Sequence, residues 1–134
     1  MQQLPACLEF YCEILTGIEP LEHLHLVVRD DATAEFLGTV STRRRDCRGL
    51  EEIRRAVEEH RNALRSGVLI PHLKRFEPEA GNEPALVELS MQAIVEPPDE
   101  RPARYDVGAL YLIKGKKLYH LSEFWSQRLD APLH

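Results

Sequence analysis

The stretch "KLYHLSEFWS" at residues 117–126 carries one imidazole, His120, between hydrophobic neighbours. Histidine ordinarily titrates near pH 6.5, so it can take up and return a proton around neutrality. Asp106 and Glu88 are the carboxyl candidates to orient it, giving His120 and Asp106 as the candidate catalytic pair. The plain alternative is a histidine bonded within a sheet, with no chemistry. Tyr11 would add a phenol donor from a helix, although a core tyrosine fits its spacing equally. His72 stands beside Pro71 on an irregular strand, with its facing open. His60 lies on the apolar face of a helix, where a buried histidine is the ordinary reading and a pocket histidine the sharper one.

Metal chemistry has little support. His23 and His25 are two apart on a predicted helix and point apart, and no pair has the i,i+4 spacing of a helical zinc site. The three cysteines, Cys7, Cys12 and Cys47, match no zinc or redox spacing and read as free thiols. We expect no metal and no cofactor.

The elements that must position these groups follow from periodicity. Residues 4–16 place Leu8, Tyr11, Cys12 and Leu15 at helical spacing, with Pro5 suited to a first turn and Gly17 to a C-terminal cap. Residues 20–28 read as a short helix. "RDDATAEFLG" then turns into a short strand-like run. Residues 49–66 repeat Leu50, Ile53, Val57, His60 and Leu64 at three- and four-residue steps, a clear amphipathic helix. "VLIPHLKRFEP" is a strand whose internal Pro71 makes it an edge, a bulge or an irregular start. Residues 85–95 alternate with period two. "EPPDERPAR" is a polar loop, and 105–113 with 117–126 form a hairpin through Lys114–Lys116. Helices precede strands, so the expected class is α+β with a mostly antiparallel, curved sheet.

The 134 residues suit one domain spanning 1–134, and 43% hydrophobic with 29% charged residues is a soluble balance. No apolar run reaches the roughly 20 residues of a membrane span, and the first residues lack a signal-peptide pattern, so a cytoplasmic location and no membrane partner are expected. A net charge of −5 argues against nucleic acid. The run "RRRD" at Arg43–Asp46 reads as a solvated loop or, more sharply, as an anion-binding rim.

In this order, two helices, a "DDAT" turn into a strand, the helix "GLEEIRRAV", and long strands closing with "LYLIKGKKLYHLSEFW", the chain resembles the SnoaL-like and ketosteroid-isomerase-like branch of the nuclear-transport-factor-2-like superfamily over about residues 8–126. The resemblance implies a cone-shaped curved antiparallel sheet wrapped around three N-terminal helices, with an internal cavity. It implies a small-molecule ligand and, for some members, cofactor-free isomerase, cyclase or dehydratase chemistry. Others are non-catalytic binding or dimerisation modules, so the fold leaves function open. Residue by residue, the isomerase's proton-shuttling acid falls at Phe36, with Glu35 as a one-residue substitute. Its acid donor falls at Gly108, its third-helix tyrosine at Val57, and its first-helix tyrosine at Phe10 or Tyr11. Steroid isomerisation by that mechanism is therefore not expected.

The resemblance also suggests facing. It turns Leu118, His120, Ser122 and Phe124 into the cone, together with Asp106, Gly108, Leu110 and Leu112. An ungapped match adds Glu88, Ser90 and Gln92. Two pictures follow. In one, the polar set lines a cavity, with Tyr11, Glu35, His72, Glu88, Ser90 and Ser122 as pocket-binding residues. Val87, Leu89, Met91, Tyr111, Tyr119 and Trp125 then form an outer apolar patch that a homodimer would cover. In the other, that apolar set is core and the polar set is solvated. The hairpin parity favours the first picture.

Overall fold

A computed structural model describes residues 4–38, 44–64, 68–95 and 103–127. Helix α1 (Ala6–Leu15) buries Cys7, Leu8, Tyr11, Ile14 and Leu15, the face that the sequence spacing marks. The Pro5 carbonyl accepts the free N–H groups of Leu8 and Glu9. The helix stops at Gly17, whose φ of +83° lets the chain reverse. Gly17 N–H then bonds Ile14 O and Ile18 N–H bonds Glu13 O, a Schellman closure. A single 3₁₀ segment (Leu21–Leu26) stands where a short helix is expected, burying Leu21 and Leu24.

Strand β1 (Val28–Leu37) and strand β2 (Arg45–Arg48) precede helix α2 (Leu50–Ala63). In α2, Glu51 and Glu52 lie in the first turn and His60 and Arg61 in the last, matching the helix dipole. The Glu52 carboxyl reaches back to accept Arg48 N–H at 3.0 Å. Ile53, Ala56, Val57, His60 and Leu64 form its buried face. Strands β3 (Val68–Glu77), β4 (Ala85–Val95), β5 (Ala103–Lys114) and β6 (Lys117–Gln127) complete the chain.

All six strands form one sheet in the order β2-β1-β6-β5-β4-β3. Two expectations change here. Strand β1 is the one expected ahead of the helix at 49–66, and β2 adds a second one there, so helices do not simply precede strands. The sheet is mostly antiparallel, as expected, but mixed, because β1 inserts beside β6 and runs parallel to it. The "RRRD" run is not a free loop either. Arg45 and Asp46 belong to β2, and Arg45 reaches Glu59 on α2 at 2.7 Å, while Arg43 lies outside the described residues. Pro71 is tolerated because β3 is the sheet edge, where a missing donor costs no ladder bond.

One face of the sheet is packed against the helices. Its buried rows are Val87, Leu89, Met91 and Ala93 on β4, Val107, Ala109 and Tyr111 on β5, and Leu121, Glu123 and Trp125 on β6. Strand β1 adds Ala32, Ala34 and Phe36, and α2 packs on β1 and β2. Phe36 is therefore a core residue. Among the described residues no helix is long and apolar enough to cross a membrane.

Gly38 ends β1 with φ +64°, and a Cβ there would overlap the Trp125 backbone carbonyl. We predict that Gly38→Ala destabilises the fold by about 1–3 kcal/mol through strain and that overlap. The measurement is the urea unfolding midpoint; an unchanged midpoint would show that β1 does not close on Trp125.

Candidate functional site

The strongest polar constellation in the interior is centred on Glu123, only 1% exposed although its neighbours are Leu121 and Trp125. A buried carboxyl group is costly unless its lone pairs meet donors. Three are supplied. The Tyr11 and Tyr111 hydroxyls each donate to Oε2 at 2.7 Å, and the Trp125 indole N–H donates to Oε1 at 3.2 Å. The two phenol rings meet edge to face with centroids 5.9 Å apart. The cluster joins α1, β5 and β6 through one side chain. Behind it, His60 stacks on Trp125 at 5.2 Å and meets Phe36 edge-on at 5.0 Å. Its Nδ1 is buried and has no hydrogen-bond partner among the described residues.

The expected catalytic and pocket residues lie elsewhere, and their facing is a correction. Glu88, Ser90 and Asp106, with Gln92 and Gly108, point to the face of the sheet away from the helices. The apolar set at Val87, Leu89, Met91, Tyr111 and Trp125 is core rather than an outer patch. Two physical causes act. Burial of the apolar alternation outweighs the family-derived parity. In addition, the β5–β6 register shifts between Leu112 and Ile113, leaving Tyr119 as an extra residue. Leu118 therefore faces inward while His120, Ser122 and Phe124 face outward.

On that outer face His120 Nδ1 lies 2.8 Å from the Thr33 hydroxyl, its neighbour across the β1–β6 pairing. Ser122 donates to Glu35 at 3.2 Å, and Arg44 approaches Glu35 at 3.6 Å. Glu35 and Ser122 are thus brought together one rung along from Thr33 and His120 on the same face, and apart from Asp106. Asp106 sits opposite Ser126, whereas His120 sits opposite Leu112. Six residues of strand separate those rungs, roughly 20 Å, so Asp106 cannot orient the imidazole. Glu88 is divided from Ser122 by Leu110. His72 lies on β3 opposite Ser90, exposed on the same outer face. Of the expected set, only Tyr11 enters the interior. The cluster residues that chemical pattern reading passes over are Glu123, Tyr111 and Trp125. The signal for them was the apolar alternation of Leu121 and Trp125, with a carboxyl between.

A second feature opens one rung away. An open groove of about 510 Å³ lies between the start of α1 and the ends of β3, β4 and β5. Its mostly apolar walls include Ala6, Cys7, Phe76, Ala85 and Ile113, and Lys116 is at its edge. Cys7 is one helical turn before Tyr11, and Ile113 is two residues past Tyr111 on the same strand face. Groove and cluster therefore occupy successive layers. Phe76 is 45% exposed there. Lys116 has φ +67°, unusual for a side chain with a Cβ, and its ammonium makes no ion pair among the described residues. Burial pushes the Cys7 thiol up to about 11, so it stays protonated at neutrality. No group of three or more metal-ligating side chains occurs among the described residues.

Burial, then the nearby Glu123 carboxyl, holds the Tyr11 and Tyr111 phenols protonated well above the ordinary tyrosine range. Because the folded pKa is raised, this contribution to stability is present below about pH 10 and lost as pH rises beyond it. We predict that Tyr111→Phe destabilises the fold by about 1–3 kcal/mol and, combined with Tyr11→Phe, removes the unfolding-coupled rise in phenolate absorbance at alkaline pH. Burial likewise lowers the His60 pKa, against the opposing charges of Glu123 and Glu59. The unfolded chain then binds the extra proton, so the contribution is complete above about pH 6.5 and lost as pH falls below it. His60→Leu should reduce the drop in urea midpoint between about pH 7.5 and about pH 5; an equal drop in both proteins would contradict this.

No family model matches the chain, and no curated protein matches it by sequence. Solved structures do match. A Catenulispora acidiphila protein with a ketosteroid isomerase-like fold, in complex with trimethylamine, superposes with a TM-score of 0.64 at 12% identity, covering 92% of this chain and 88% of that one. A nuclear-transport-factor-2-like protein from Anabaena variabilis gives 0.61 at 15% identity, covering 91% and 85%. An LEH-like epoxide hydrolase of M. tuberculosis gives 0.53 at 15% identity, covering 91% and 81%. Likeness at these identities speaks for the fold. The chain has the nuclear-transport-factor-2-like fold, which isomerases, cyclases and epoxide hydrolases share.

Proposed function

We propose that the chain is a small-molecule-binding domain that takes a compact apolar acid in the groove between α1 and the ends of β3, β4 and β5. The observation that carries this reading is Lys116. It holds an ammonium that makes no ion pair among the described residues beside an apolar groove, at a backbone conformation that a glycine would adopt more cheaply. An apolar body against Phe76, Ala85 and Ile113, with a carboxylate at Lys116, satisfies both features. Cofactor-free isomerisation, cyclisation or hydration would require an acid or base within reach of that ligand. The candidates at the groove are poor ones. Cys7 stays a thiol, Glu79 is occupied in accepting Gly115 N–H at 3.0 Å, and Glu123 has its carboxyl committed to three donors. Binding without chemistry is therefore the better-supported role. His120 and Asp106 would act, if at all, on the outer face and not as a pair.

A second reading has its own observation. The outer face exposes Phe124 (54%), opposite Gly108, with Leu110 and Leu112 half-buried on the next rungs of β5 and Leu86 opposite Leu112. A homodimer packed through this face would cover them, by residues other than the apolar set expected from sequence. Sedimentation at micromolar concentration tests it: a dimer that Phe124→Lys converts to monomer supports the interface, and a wild-type monomer refutes it.

The binding reading predicts opposite effects on stability and affinity. Lys116→Gly should raise stability by about 1 kcal/mol by relieving the positive φ while weakening octanoate binding at least about fivefold. Octanol should bind the two proteins alike. Calorimetric titration with both ligands and a urea melt supply the readouts. Equal octanoate affinity for wild type and variant would refute the role of Lys116.

A further inference from the structure

A separate cleft of about 330 Å³ lies between α2 and the chain that leaves α1. Along α2, Arg54, Glu58 and Arg61 sit at i, i+4 and i+7, which places them on one stripe beside the buried face. Glu22 faces them from the 3₁₀ segment, and Ile18 and Leu21 supply apolar wall. Two guanidinium and two carboxylate side chains thus converge on one cleft. Among the described residues none of the four makes an ion pair or a side-chain hydrogen bond, although other charged residues of α2 do, such as Glu59 with Arg45 and Arg55 with Glu51. Arg54 and Arg61 are also half-buried rather than extended into water.

The apolar wall carries a second anomaly. In a Schellman closure the residue after the glycine usually folds back onto the helix it terminates. Here that residue is Ile18, and it is 71% exposed at the cleft rim. The volume matches the lower end of ligand pockets, on the order of ten water molecules.

A plain anion fits this set poorly, because Glu22 and Glu58 would repel it. A plain cation meets Arg54 and Arg61. A molecule with both charges answers all four groups: its carboxylate takes a guanidinium, in the forked geometry that arginine favours, and its ammonium takes a carboxylate. Ile18 and Leu21 then accept an apolar substituent. We propose that this cleft binds a free α-amino acid with an apolar side chain, at a site distinct from the groove at Lys116.

Titration of the ¹⁵N-labelled full chain with L-leucine, N-acetyl-leucine and leucinamide tests this directly. Leucine should give saturable shifts in the amides of residues 17–22 and 54–62. Each analogue lacks one charge and should bind at least about tenfold more weakly. Arg61→Gln and Glu58→Gln should each weaken leucine binding by about the same factor, with unfolding midpoints confirming that both variants fold. Lys116→Gly should leave leucine binding unchanged. The proposal is overturned if leucine shifts no amide saturably or if N-acetyl-leucine binds as tightly as leucine. Loss of the response in Lys116→Gly would also overturn it, by assigning the shifts to the groove.

Discussion

A carboxyl group placed inside an apolar core must find donors for its oxygens or destabilise the fold around it. Glu123 is placed there by strand alternation, between Leu121 and Trp125, and finds them on three elements: Tyr11 on α1, Tyr111 on β5 and Trp125 on its own strand. These bonds tie α1 to β5 and β6 across the face that the apolar alternation buries. Much of the remaining architecture depends on this. Trp125 in turn stacks on His60, linking α2 to the cluster, and its backbone carbonyl leaves room only for glycine at position 38. A network in which every acceptor is met gives one preferred packing, whereas a partly satisfied network would not.

The same facing decides what can be functional. Tyr11, Tyr111 and Trp125 are all directed at Glu123, and all four side chains are nearly inaccessible. Two recesses lie at the margins of the described residues, one above the cluster at Lys116 and one across α2 at Arg54 and Arg61. Among the described residues both hold charged groups that make no ion pair.

Much of the fold is legible in the sequence. The helical spacing of Leu8, Tyr11 and Leu15, the stripe from Ile53 to Leu64, Pro71 as an edge residue and the hairpin at Gly115 all correspond to observed elements, because each expresses a local rule. The parallel β1–β6 pairing is a long-range choice with no local signature. The candidate site was legible only in part. Tyr11 is inside as one reading allows, but His120 and Ser122 face outward because Tyr119 adds one residue to the strand, and a parity count cannot be carried across a bulge. Glu88, Ser90 and Gln92 illustrate a different failure. The alternating hydrophobicity of Val87, Leu89 and Met91 marks the buried face of β4, and the strand parity of distant relatives does not transfer to it.

The central claim is that Leu121, Glu123 and Trp125 form the interior face of β6, with His120 and Ser122 outside. The chain has one tryptophan, so its fluorescence reports this facing without ambiguity. A native emission maximum blue-shifted from that of the urea-unfolded chain, and shielded from iodide quenching, is the predicted result. Emission at the unfolded wavelength with full iodide access would place Trp125 on the solvent face and contradict the account.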